Sequence, residues 1–117
     1  MFAKIKNENG TIAISGEVVA RIAGLSASEC YGIVGMAAKS MKDGLVRLLK
    51  KESMSKGVRL HIDADNRLTV DLHIIVEYGT NINAIAETLI SNVKYRVEDQ
   101  AGLTVSAVNV FVEGVRV

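Results

Sequence analysis

Val58-Arg59-Leu60-His61-Ile62-Asp63-Ala64-Asp65-Asn66-Arg67-Leu68-Thr69-Val70-Asp71-Leu72-His73-Ile74-Ile75-Val76-Glu77-Tyr78 is the stretch on which the fold turns. Val58, Leu60 and Ile62 alternate with Arg59, His61 and Asp63, and successive side chains of a strand point to opposite faces. Ala64-Asp65-Asn66 then supplies the chemistry of a hairpin turn. In the longer strand that follows, Leu68, Val70, Leu72, Ile74, Val76 and Tyr78 point one way, and Thr69, Asp71, His73, Ile75 and Glu77 the other. One face is thus set for burial and the other is mostly polar, the pattern of an antiparallel sheet covered on one side.

Working outward, Gly79-Thr80-Asn81 breaks the strand and caps a helix. In it Ile82, Ile85, Ala86, Leu89, Val93 and Val97 keep the 3.6-residue period up to Gly102, which suits a left-handed cap. A final strand, 104–113, turns Val108, Val110 and Val112 inward, with Asn109 and Phe111 outward. Toward the start of the chain, Asn9-Gly10 leads into a β-branched strand at Thr11–Ile14. Ser15 is a suitable N-cap for a helix that opens with Glu17, carries Val18, Ile22 and Leu25 at helical spacing, and ends near Tyr31. After Gly32-Ile33-Val34-Gly35, a second helix is expected from Met36 to Lys51, with Ala37, Met41, Leu45, Leu48 and Leu49 on one arc and most lysines opposite. The expected fold class is α+β, in the order β-α-α-β-β-α-β. An antiparallel sheet is covered by helices on one face in a KH-like or ferredoxin-like split arrangement, as a single domain over 1–117.

The composition fits such a domain. The chain of 117 residues is long enough to bury a core without disulfides or metal staples. With 4% aromatic residues and no Trp, that core must be largely aliphatic. A net charge of +1 gives no strong field to draw in nucleic acid or anionic lipid. Seven basic residues (Lys39, Lys42, Arg47, Lys50, Lys51, Lys56, Arg59) face only Asp43 and Glu52 between positions 39 and 59, so the positive charge is local. The lone Cys30 cannot make an internal disulfide, no leader pattern opens the chain, and no apolar run approaches the ~20 residues needed to cross a bilayer. The expected location is the cytoplasm, peripheral to the membrane through a partner.

No catalytic constellation emerges, and no cofactor or metal is expected. His61 and His73 alternate outward in paired strands near Asp63 and Asp71, but their spacing matches no ligand signature, and surface histidines on a solvated face are the plainer reading. Cys30 has no histidine nearby and reads as a small buried hydrophobe. The exposed sheet face is the candidate site of partner binding and self-association: Ile75 and Phe111, apolar on a polar face, with Asn109 and His73 beside them. Lys39, Lys42, Lys50 and Lys51 on the expected basic helix form a second candidate surface, for an acidic partner or a membrane. Gly32-Ile33-Val34-Gly35 is a GxxG between two expected helices, and this is the element order of a KH domain, whose loop clamps nucleic-acid backbone. Its two central residues are apolar, so glycines that cap one helix and turn into the next are the alternative.

Five ordered blocks carry a resemblance: Gly10-Thr11-Ile12-Ala13-Ile14-Ser15, Glu17–Gly24, Tyr31-Gly32-Ile33-Val34-Gly35-Met36, Val70–Gly79 and Val105–Gly114. Together they resemble the alkaline shock protein family, envelope stress response proteins of Gram-positive bacteria, of the YloU type. The resemblance implies a small cytoplasmic, non-enzymatic protein without catalytic residues. It also implies homo-oligomer formation, a membrane-anchored family relative or other envelope protein as partner, and a link to a kinase-like protein of lipid metabolism. Nucleic acid is not the expected partner. The chain departs from the family pattern in the Lys- and Leu-rich segment 38–55 and at Phe111, where a polar residue such as His is expected.

Overall fold

The computed structural model describes residues 3–39 and 45–117. Among these residues, seven strands and two α-helices follow one another: β1 (Ala3–Asn7), β2 (Gly10–Ile14), α1 (Gly16–Ser28), β3 (Ile33–Lys39), β4 (Val46–Leu48), a 3₁₀ helix (Lys51–Gly57), β5 (Val58–Ile62), β6 (Arg67–Glu77), α2 (Ile82–Ala101) and β7 (Thr104–Arg116). The class is α+β, as the alternating and helical periods predict.

β6 is the central strand. Along one edge, its first half pairs antiparallel with β5, from Ile62 opposite Leu68 to Val58 opposite Leu72. Its second half pairs with β3, with Met36 opposite Ile74 and Gly35 opposite Ile75. β4 extends the sheet beyond β3. Along the other edge β7 runs parallel to β6 over the whole strand, from Arg67 opposite Thr104 to Glu77 opposite Arg116. The sheet is therefore mixed, which corrects the antiparallel expectation. A parallel neighbour needs a long crossover, and α2 supplies it.

The hairpin forms as its sequence dictates. The Asp63 carboxylate accepts from the amides of Asp65 (2.9 Å) and Arg67 (3.0 Å), and Asn66 takes the left-handed conformation at φ 59°. Leu68, Val70, Leu72, Ile74 and Val76 then line the face toward the helices, each almost wholly buried. Burying such a side chain stabilises the fold by roughly 1.5–3 kcal/mol before the opposing entropy. α2 meets this row with Ile85, Leu89, Val93 and Val97, one residue per turn. Its ends are closed by the Asn81 side chain, which accepts from the Ala84 amide at 3.2 Å, and by Gly102 at φ 71°.

α1 starts where Ser15 accepts from the Val18 amide at 3.3 Å. Its buried stripe is Val19, Ala20, Ala23 and Ala27, while Val18 and Leu25 are exposed, one step around the helix from the expected stripe. Small side chains win the buried positions because they let the helix backbone lie close to its neighbours.

The expected second helix from Met36 to Lys51 is not present in the described part of that segment. Ile33–Lys39 is a strand, Val46–Leu48 is its antiparallel partner, and Lys51 begins a 3₁₀ helix. The order β-α-α-β-β-α-β is corrected accordingly, and with it the KH-type order in which a GxxG joins two helices. Tertiary pairing accounts for the difference: the second half of β6 has a free edge that a helix could not satisfy, and Ile33–Lys39 fills it. A further strand, β1, precedes the expected one and makes a separate two-stranded sheet with β2.

Candidate protein interface on the outer sheet face

The helices cover one face of the sheet, so the alternation of β6 leaves Thr69, Asp71, His73 and Ile75 on the other. The pairing places neighbours beside each of them. Asp71 lies between Arg59 on β5 and Asn109 on β7, His73 beside Phe111, and Ile75 between Gly35 on β3 and Gly114 on β7.

Half of this face is polar and satisfied. Asn109 donates to the Asp71 carboxylate through Nδ2 (2.9 Å), and His61 Nε2 approaches the other Asp71 oxygen at 3.4 Å. Ser106 Oγ donates to the Leu68 carbonyl (3.2 Å) and lies 3.4 Å from Thr69 Oγ1. Arg59 is exposed at the margin.

The other half is apolar. The Phe111 ring stacks on the His73 imidazole, and Glu113, the extra residue of a β-bulge in β7, brings its carboxylate within 3.6 Å of His73 Nδ1. Ile75, flanked by two glycines, is partly exposed. Leu48 fills the space a side chain at Gly35 would occupy, its Cδ1 lying 3.0 Å from where a Cβ would stand. Val46, two residues earlier on β4, shares that side. Phe111 is 44%, Val46 39% and Leu48 38% exposed, so three large apolar side chains join Ile75 on a face that, among the described residues, no helix covers.

The structure thus gathers the four residues marked in the sequence, His73, Ile75, Asn109 and Phe111, on one face. It adds Val46 and Leu48, which the helical reading of 36–51 hid. Their signal was the alternation of Val46 and Leu48 with Arg47, placed after Asp43-Gly44, a dipeptide typical of hairpin turns.

The remaining candidates are placed as follows. The basic helix is not found: Lys39 closes β3, Lys50 is exposed ahead of the 3₁₀ helix, Lys51 opens that helix, and Lys42 lies outside the described residues. Gly32, Ile33 and Gly35 are buried and Val34 is half-buried, where the chain enters β3 rather than standing out as a loop. The carbonyl of Gly32 accepts from the Glu77 amide at 3.0 Å, its φ is 84°, and a side chain there would run into Ile85. His61 and His73 contact separate carboxylates, and Asp63 is held in the turn. Among the described residues, no three His, Cys, Asp or Glu side chains come together as a metal site. Cys30 is buried, donating to the Ser26 carbonyl (3.4 Å) and accepting from Asn92 Nδ2 (3.4 Å). A cleft of about 330 Å³ between Tyr31, Thr80, Asn81, Ile85 and Thr88 offers no ionisable side chain other than Tyr31. Among the described residues, no helix is long and apolar enough to cross a membrane.

Comparison with known proteins agrees with the sequence blocks. Residues 4–117 match the alkaline shock protein 23 family, described as having a cell envelope-related function. The uncharacterized protein YloU of Bacillus subtilis is 45% identical over 118 residues, covering all of this chain and 98% of that protein. The uncharacterized protein Spy1614 of Streptococcus pyogenes is 39% identical, covering all of this chain and 97% of that one. A stress response regulator gls24 homolog of Streptococcus pyogenes is 26% identical over 107 residues, which span 92% of this chain and 59% of the regulator. No solved structure gives a match. The chain therefore belongs to the alkaline shock protein family that its five sequence blocks resemble, a family with a cell envelope-related function.

Proposed function

We propose that this protein is a non-enzymatic scaffold of the envelope stress response that assembles with copies of itself through the outer sheet face and binds a membrane-proximal protein. The observation that carries the reading is the uncovered sheet face on which Phe111, Ile75, Leu48 and Val46 lie together. Exposed apolar side chains grouped on a sheet face mark contact surfaces. A second copy suits as the occupant because the face carries both signs of charge, Arg59 at its margin with Asp71 and Glu113, so opposite charges can meet when the face is turned about a two-fold axis. The family's cell envelope-related description supports a membrane-proximal protein as the other partner, and the relative named as a stress response regulator supports the setting.

Sedimentation velocity over a concentration and salt series tests the reading. Concentration-dependent assembly that survives added salt and is weakened in Phe111→Asp and Leu48→Asp is the expected result. A monomer at all concentrations that retains RNA would overturn it in favour of a nucleic-acid binder, whose affinity falls with salt by a slope of about 0.7 per phosphate contact on single strands.

A further inference from the structure

The β1–β2 hairpin lies apart from the main sheet, and a two-stranded sheet alone is marginal in water. Ala3 and Ile5 face the body of the molecule, and their partners across the ladder, Ile14 and Ile12, share that side. Ala3 is buried and Ile14 half-buried, but the apolar row runs off the body, leaving Ile12 52% exposed.

The outer edge of β2 is also open. The pair that closes the turn, Asn7 with Gly10, is hydrogen-bonded in an antiparallel ladder, and bonded pairs alternate from there, so Ile12 and Ile14 spend their amides and carbonyls on β1. Those of Thr11 and Ala13 point the other way. Among the described residues, β2 has no second strand partner, and Gly10-Thr11-Ile12-Ala13-Ile14 carries no charge, no proline and no bulge. These are the devices by which solitary strands avoid pairing with another chain. The opposite edge has one such device, Lys4 and Lys6 on β1.

We propose that β2 pairs antiparallel with β2 of a second copy about a two-fold axis through Ile12, making a four-stranded sheet across two molecules. In this register the outward groups of Thr11 meet those of Ala13 in the second copy, and by symmetry Ala13 meets Thr11, giving four backbone hydrogen bonds. Ile12 meets Ile12 of the second copy in a non-hydrogen-bonded pair, where side chains approach most closely. An uncharged strand can meet itself this way, whereas β1 would set like charges together. This contact is separate from the outer sheet face.

The register makes Ile12 the position that meets its own copy, so Ile12→Cys places two thiols at a spacing suited to a disulfide. Mild oxidation of the full chain, followed on a non-reducing gel, is the test. Tyr31→Cys, at a position 86% exposed, serves as the measure of random collision. Ile12→Cys is expected to form a covalent dimer at least about tenfold faster than Tyr31→Cys. Thr11→Cys and Ala13→Cys, which do not meet themselves, are expected to match Tyr31→Cys. An Ile12→Cys rate no greater than that of Tyr31→Cys, with circular dichroism unchanged, would overturn the proposal. Adding Phe111→Asp leaves the Ile12→Cys rate intact if the two contacts are separate, so a failure of the outer-face reading is seen independently of this one.

Discussion

The imidazole of His73 and the phenyl ring of Phe111 lie stacked, their centroids 4.9 Å apart and their planes 15° from parallel. They are directly opposite one another on the parallel strands β6 and β7. The ring of Phe111 is thereby held against the sheet, and the Glu113 carboxylate lies 3.6 Å from Nδ1 of the same imidazole. A preoriented aromatic ring loses little freedom on contact, which is why such side chains dominate interfaces.

Truncating this pair should affect assembly in a graded way. Phe111→Ala is expected to weaken self-association by about tenfold or more. His73→Ala, which frees the ring but keeps it, should weaken it less, and Phe111→Tyr should change it little. Sedimentation equilibrium of the three variants checks the order.

Gly32 and Gly79 share a φ of 84°, but only at Gly32 would a side chain meet a neighbour, Ile85. Gly79→Ala is expected to cost about 1 kcal/mol from backbone strain alone. Gly32→Ala should cost about 3 kcal/mol, because Ile85 must also shift within the packed core. Urea denaturation of the two variants measures the difference, which isolates overlap from strain.

Asn81→Ala removes the side chain that accepts from the Ala84 amide and is expected to lower stability by about 1 kcal/mol. Asn81→Asp should keep the cap, since a carboxylate accepts the same bond and suits the positive end of α2. Thermal melts followed by circular dichroism distinguish the two.

Buried Cys30 is expected to react with a thiol reagent at least about a hundredfold more slowly in the native chain than in denaturant. The native rate should track opening of the contact between α1 and α2, because Cys30 bonds Ser26 on one helix and Asn92 on the other. Arg96→Ala, which removes the 3.5 Å contact to Glu29 beside it, should raise that rate.

The elements legible in the sequence were those whose period and punctuation agree. The β5–β6 hairpin has strict alternation and an Asp63–Asn66 turn, and α2 has an Asn cap, a 3.6-residue period and a glycine stop. The helix expected from Met36 to Lys51 rests on Ala, Met, Leu and Lys residues that favour one, and the described parts of that segment form strands and a 3₁₀ turn instead. The free edge of β6 decides otherwise, and that edge lies in a distant part of the chain. β1 shows only the short alternation Ala3-Lys4-Ile5-Lys6, and its pairing with β2 makes it a strand. On the candidate site, Ile75 and Phe111 could be found as apolar residues at polar positions. Val46 and Leu48 carry only the weak signal of alternation with Arg47, and their side of the sheet exists only once β3 and β4 pair.

The parallel union of β6 and β7 also orders events in time. Hairpins such as β5–β6 close within microseconds, while strands far apart along the chain come together slowly. A nascent chain that has made β6 must still make α2 and β7 before the second edge of its central strand is filled. Throughout that interval the row Leu68, Val70, Leu72, Ile74 and Val76 sits on a strand open to any other β-prone chain. Crowded synthesis is therefore the stage at which this protein is most vulnerable to aggregation.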